Sequence, residues 1–517
     1  MSVEAQGLHD VYVVSDLHLG RGKNPESGRY FSLEAFFYDD DLRRFARYLV
    51  DEARERGVPF KLIFNGDVFD LLRIDPDDEP HPDATRRERR FGAALTPATA
   101  ARLVGDVLQG HPLFVEAVAH VLTSGFEVVF LPGNHDIELQ WRPVQDVVRR
   151  FLVEDARARA GETAANMADE RLHFAPWFHH EPGRLWVEHG CQYDGESAFR
   201  SPLRSKMLEE DAAGAAAKAE ADLPLGSFIQ RYLFNAFGPI TFIVPSTRAN
   251  FRYVKWLLVN RPRLLARVML SHAPFAVQLL RRLSLDPQNL RGQLAREHDA
   301  ELRQIADATG LGEKLIAIDA LRDTSHDLVR AARSLTWQLV KFVGIGTLVA
   351  VTAAGLWFTG FATINELHVG LGPKALLFLL LNFLMLLTAV SAAGYAMYRG
   401  QSTTPAAPLC RAATRIAEIL DVPIVTFGHT HDEALWRLDV KNRRAWYYNT
   451  GTWIAVFTHE DLMPRERVQF TFLRVRGHSG ELLQWSPGRN TPLPVILLDE
   501  EIRGGQSIRV SGADPAP

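Results

Sequence analysis

Cysteine is nearly absent from this 517-residue chain, which has only Cys191 and Cys410. That excludes a disulfide framework and fits a reducing compartment. Met1 to Asp10 has neither the basic start nor the apolar run of a secretory leader, so the globular part is expected to stay in the cytoplasm. Basic charge is not in excess: 58 Lys and Arg stand against 62 Asp and Glu, a net charge of −4. With a pI near 6.5, this argues against a general nucleic-acid binder. A mean hydropathy of −0.09 excludes a chain embedded in a membrane throughout. No internal repeat recurs. Two further absences are local. Leu223 to Leu283 holds nine Lys or Arg and no Asp or Glu, and Phe342–Asn365 and Ala375–Tyr398 each run 24 residues without a charge.

What is present is enough apolar material, 47% of residues, for a large core. The length suggests about two to four structural units. Short apolar runs read as strands at Val11–Val14, Lys61–Asn65, Glu127–Leu131, Leu185–Glu188 and Pro423–Phe427. Helical stretches separate the first three, from about Asp41 to Arg56 and again up to about Thr123, which is a β-α-β layout. Ala406–Leu420 reads as a helix. Glu433–Leu438, Ala445–Asn449 and Val468–Leu473 read as a closing β-meander.

Each of five strands ends on a block of polar residues. They are Asp16-Leu17-His18, Gly66-Asp67-Val68-Phe69-Asp70, Gly133-Asn134-His135-Asp136, His189-Gly190 and Gly428-His429-Thr430-His431. The carboxyl edge of an α/β sheet is where ligands bind, so five such blocks can build one pocket. Carboxylate and imidazole donors without thiolate suit Mn, Fe or Zn. A carboxylate such as Asp67 has two oxygens and can bridge two ions. A two-ion centre clamps a phosphoryl group and activates water. A lone Asp-x-His or Gly-Asp arises often by chance; all five blocks in order, each after a strand, do not.

The blocks resemble the signature of the calcineurin-like metallophosphoesterases over roughly residues 8–195 and 405–490. The resemblance implies a four-layer α/β fold, a β-sandwich flanked by helices. It implies that Asp16, His18, Asp67 and His431 hold one divalent ion and that Asp67, Asn134, His189 and His429 hold the other. Manganese is the expected metal, with iron or zinc as alternatives. His135 would contact the phosphate and assist the leaving group, and Asp70 and Asp136 would orient histidines or loops behind the ligands. Within the family, Asp16-Leu17-His18-Leu19 and Asn65-Gly66-Asp67-Val68-Phe69-Asp70 resemble bacterial UDP-2,3-diacylglucosamine pyrophosphatases. Those enzymes carry arginine where this chain has His135, and they are much shorter.

Residues 196–335 read as a helical insertion, and its acid-free stretch, basic and aromatic by turns, as a membrane-surface element or a cap for a lipid substrate. The two uncharged runs are each long enough for a bilayer core. Residues 336–400 are therefore expected to form a transmembrane hairpin. Arg330, Arg333, Lys341, Arg399, Arg411 and Arg415 flank it, which puts the catalytic domain on the cytoplasmic side of the inner membrane. Residues 504–517 read as a disordered tail.

The remaining features are read plainly. Arg86, Arg87, Arg89 and Arg90 are taken as a solvated face, Cys191 as a packing residue, and His179 and His180 as surface. Asn449 or Thr450 is either a support for Gly428–His431 or part of an ordinary hairpin. The expectation overall is a membrane-anchored hydrolase of a phosphodiester or pyrophosphate, with a metal-activated hydroxide as nucleophile. Its partners would be the lipid bilayer and a lipid-linked or nucleotide-phosphate substrate such as UDP-2,3-diacylglucosamine; nucleic acid is not expected. The alternatives are a tethered phosphodiesterase of soluble nucleotides or nucleic acid, and a metal-binding membrane protein without turnover.

Overall fold

The computed structural model describes residues 9–73, 86–92, 95–204, 222–233, 288–324, 351–399 except 353, 406–440, 443–457 and 470–495, with short pieces between 235 and 278 and at 468. Strand β1, Asp10–Val14, is buried along its whole length. Alternation sends Val11 and Val13 to one face and Tyr12 and Val14 to the other, and both faces are covered. That is why the strand reads as a continuous apolar run. Beside it, in parallel, lie β2 (Phe60–Asn65), β3 (Glu127–Leu131) and β4 (Leu172–Phe174). On its other edge β12 (Thr471–Arg476), β13 (Ser479–Ser486) and β14 (Thr491–Pro494) add antiparallel strands, giving a seven-stranded sheet.

A second sheet of five strands comprises β5 (Phe178–Glu181), β6 (Leu185–Glu188), β8 (Ile424–Phe427), β10 (Arg443–Thr450) and β9 (Glu433–Val440), in that spatial order. β6 and β8 are parallel neighbours although more than 200 residues of chain lie between them. The two sheets pack face to face through Val11, Val13, Ile63 and Val129 of the first and Leu185, Val187, Ile424 and Leu435 of the second. A small parallel pair, β7 (Phe242–Ile243) with β11 (Val456–Phe457), joins the middle of the chain to its last part.

Helices cover both outer faces. On the first sheet lie α1 (Asp39–Arg56), α2 (Glu88–Phe91), α3 (Pro97–Gly110), α4 (Pro112–Thr123), α5 (Arg142–Arg171) and α6 (Leu225–Tyr232). Their local signals are ordinary. Three aspartates begin α1 and Arg54 and Arg56 end it, complementing the helix dipole. Thr96 caps α3, with Pro97 at its first position. On the second sheet, α7 (Gln288–Thr309) and α8 (Glu313–Asp319) pack with α10 (Ala406–Leu420): Leu302, Ala306, Leu315 and Ile318 share a core with Ile416, Trp186 and Trp436. Part of the stretch read as an insertion is thus an outer layer of the sandwich.

The transmembrane hairpin, and with it the multi-pass membrane location, does not stand. Among the described residues no helix is long and apolar enough to cross a membrane. Freedom from charge does not suffice: a span needs about 20 predominantly apolar residues in one helix, a combination that no described helix supplies. Residues 354–366 are helical, and α9 spans Leu371–Arg399. The two helices meet through Trp357, Phe361 and Phe378, and Trp357 Nε1 donates to Asn382 Oδ1 at 3.2 Å. Most of the basic stretch and the tail from 504 lie outside the described residues.

One buried charge cluster fixes the loop that follows the first polar block. Glu34 accepts from the N–H groups of Gly20, Gly22, Ala35 and Phe36. His111, fully buried, stands between Glu34 (3.3 Å) and Asp39 (2.9 Å). Burial alone would lower the His111 pKa, but its hydrogen bonds to Asp39 and Glu34, with their charge, raise it to about 9 from 6.5. A raised histidine pKa stabilises the fold fully below the unfolded value and progressively less as pH climbs through the folded one. The urea midpoint of unfolding should therefore fall between pH 6.5 and 9, by on the order of 3 kcal/mol in stability. His111→Gln should flatten that slope; a slope unchanged in the variant would show that His111 does not carry it.

Candidate metal centre

The sheet register brings the polar blocks together. β1, β2 and β3 are parallel and in step, with Val14 beside Phe64 and Asn65 beside Leu131. In the second sheet Val187 lies beside Thr426. The blocks therefore leave the same end of both sheets. Backbone bonds cross between them: Asp16 N to Gly66 O (3.1 Å), His18 N to Asp67 O (2.9 Å) and Gly428 N to His189 O (3.0 Å). The backbone N–H of His429 donates to Asp16 Oδ2 at 3.1 Å.

Asp16, His18, Asp67 and His431 form a buried group whose ligand atoms all lie within 4.8 Å of one another. His18 Nε2 and His431 Nε2 face each other at 2.8 Å across 413 residues of sequence. Asp16 Oδ1 is 3.4 Å from His431 Nε2, and Asp67 Oδ2 is 3.8 Å from His18 Nε2. Two imidazole nitrogens converging on two carboxylates form a site that can hold a metal ion. The donors fit a cation by another test as well. Asp16 Oδ1 and Asn134 Oδ1 are buried with no hydrogen-bond partner, which is costly unless a cation takes the lone pairs. A second group, His18, Asp70 and His135, also has metal-ligand spacing.

The other expected ligands sit alongside. Asp67 Oδ2 is 3.3 Å from His189 Nε2. His189 Nδ1 donates to the carbonyl of Asn65 at 2.9 Å, which turns Nε2 inward. Burial opposes ionisation of Asp67, but the charges of His189, His135 and His18 hold its carboxyl well below the usual range. His189 and His429 have ring centroids 5.4 Å apart. His429 Nε2, however, meets Asp194 Oδ2 at 3.0 Å.

Asp70 and Asp136 stand behind this set. Asp70 Oδ1 accepts from His135 Nδ1 at 2.8 Å, and its Oδ2 is 3.6 Å from His18 Nδ1. Asp136 accepts from the backbone N–H groups of Asp67, Val68, Phe69 and Gly133. Burial and the neighbouring Asp67 push Asp136 up to about 7 against those donors. For His135, burial acts downward, but Asp70 and Asp67 carry its imidazole up to about 9.

Strain marks the same residues. Among the described residues the non-glycine positions with positive φ include Asp16 (56°), His18 (49°), Asp67 (51°), His429 (71°) and His431 (58°). Bulky side chains avoid this region, and such strain gathers at functional sites. Sequence reading did not foresee it, nor the part of Asp194, whose sole signal was its place five residues after His189. Asn449 does brace the last block: its amide donates to Gly428 O (2.7 Å) and Thr430 Oγ1 (3.1 Å). Thr452 Oγ1 donates to Asp16 O at 2.6 Å.

Two plain readings come out differently in part, and that of Cys191 holds. Arg87 is half-buried, donating to Tyr232 Oη and Gln278 Oε1, while Arg86, Arg89 and Arg90 are exposed. His179 and His180 are half-buried on β5, with His179 Nε2 3.1 Å from Glu181. Cys191 is buried, and burial pushes its thiol well above the ordinary value, as for an inert packing residue.

No protein-family model matches this chain, and no curated protein is found similar to it. The site's own geometry therefore has to carry the functional reading.

Gly133 offers a direct test. A Cβ there would overlap the Asp67 carboxylate and backbone nitrogen. Gly133→Ala should weaken divalent-metal binding by about 10–100-fold, the range seen when ligand support is disturbed. Calorimetric titration with Mn²⁺ checks it; wild-type affinity in the variant would mean that Asp67 does not serve as a ligand.

Proposed function

We propose that this chain is a metallophosphoesterase of the calcineurin-like type, hydrolysing a phosphodiester or pyrophosphate at a two-metal centre. The observation that carries the reading is the convergence of Asp16, His18, Asp67 and His431 in one buried group, with Asn134, His189 and His429 on the adjoining loops. Two divalent cations, manganese first, would supply a clamp for the phosphoryl group and a lowered pKa for attacking water. Asp67, a member of that group and 3.3 Å from His189, would serve both ions.

The protein's own groups then have defined tasks. Asp70 holds His135 by Nδ1 and backs His18 from the other carboxylate oxygen. With Nδ1 engaged, Nε2 of His135 would hand its proton to the leaving oxygen. The neighbouring Asp70 and Asp67 favour the protonated ring against its burial, the form a proton donor requires. Asp136 keeps the Asp67 turn in place. The substrate class implied by the early blocks is a nucleotide diphosphate carrying a lipid-linked sugar, of which UDP-2,3-diacylglucosamine is the type.

Purified protein with Mn²⁺ should hydrolyse model phosphodiesters or UDP-sugar pyrophosphates. Asp67→Asn should reduce turnover to background, and His135→Ala should cost about 10²–10⁴-fold, as expected for loss of a general acid. No hydrolysis by wild type with Mn²⁺, Fe²⁺ or Zn²⁺, or activity that survives both substitutions, would end the proposal.

A further inference from the structure

Outside the five blocks, the carboxylate of Asp194 contacts an expected ligand. It lies 3.0 Å from His429 Nε2, with the His429 side chain 7% exposed. The pair spans 235 residues of sequence. Asp194 is itself held. Its Oδ2 accepts from Ser197 Oγ at 2.9 Å and its Oδ1 from the N–H of Glu196 at 3.1 Å. Its carbonyl accepts from Ser197 N and Ala198 N, and Glu196 O accepts from Gly226 N at the start of α6.

An imidazole that gives one nitrogen to a carboxylate can bind a cation only through the other. The carboxylate fixes the tautomer, sets the ring plane and raises the basicity of the ligating nitrogen. His429 is engaged at Nε2, so Nδ1 is the atom left to ligate. The backbone at His429 is fixed as well, by its N–H bond to Asp16 and its left-handed φ.

We propose that Asp194 is a positioning residue for the second metal ion, presenting His429 through Nδ1, and that the loop carrying it is tied to the first turn of α6 through Glu196 O and Gly226 N. This rests on the two-metal reading above. Asp194 meets His429, an expected ligand of the second ion alone, so its loss should fall on that ion.

The test is Mn²⁺ binding by the chelator-stripped full-length chain, followed by calorimetry and by electron paramagnetic resonance. Wild type should bind two ions and show the exchange-coupled spectrum of a manganese pair. Asp194→Ala should keep one ion at wild-type affinity, bind the other about 10–100-fold more weakly, and give the six-line signal of isolated Mn²⁺. Asp194→Asn, which retains a neutral acceptor for the imidazole N–H, should recover part of the loss. Wild-type binding of both ions by Asp194→Ala, or equal loss of both, would overturn the assignment. Fewer than two ions on wild type would instead overturn the two-metal reading on which it stands.

Discussion

Asp16, His18, Asp67, Asp70, Asp136 and His189 are all buried to 2% exposure or less, and they crowd one end of two sheets. Removing so many ionisable groups from water costs several kcal/mol for each that is left unpaired. The fold bears this because carboxylates alternate with imidazoles and because backbone N–H groups fill the remaining lone pairs around Asp136. Among the atoms left over are Asp16 Oδ1 and Asn134 Oδ1, whose lone pairs a cation can take. The local backbone follows from the same constraint. Five of the expected ligands adopt left-handed φ, a conformation kept only where the surroundings over-determine it.

The two sheets make that crowding achievable. Parallel β1, β2 and β3 deliver three loops at one edge in register, and β6 and β8 deliver two more from the facing sheet. The inter-sheet core of mainly Val, Ile and Leu is buried, so the loops start from fixed points. Supports come from further away. The Glu34–His111–Asp39 cluster pins the loop after His18, and Asn449 and Thr452 on the far side hold Gly428 and Asp16.

Much of the two-sheet part of the chain was legible. Strands read at Lys61–Asn65 and Pro423–Phe427 fall within a residue of Phe60–Asn65 and Ile424–Phe427, because short buried parallel strands are uninterrupted apolar runs. The ten residues read as ligands or supports lie at one sheet edge, since each follows a strand end. The middle of the chain was less legible. Absence of charge over 24 residues records composition alone, and no described helix is long and apolar enough to be a span. The surface reading of His179 and His180 failed for a similar reason: adjacent residues on an edge strand point to opposite faces, and a sequence does not say which face is covered.

Residue types and order alone determined the chemistry on offer: carboxylates, imidazoles and one amide after apolar strands, with no thiolate among them. Those are local properties, fixed by composition and by the period of each strand. Tertiary structure decided which atoms of those residues face one another. It set His18 against His431 across 413 positions, turned His429 toward Asp194, and placed α7 and α8 on the outer face of the second sheet. Such contacts depend on sheet pairing and packing between distant segments, and no local pattern encodes them.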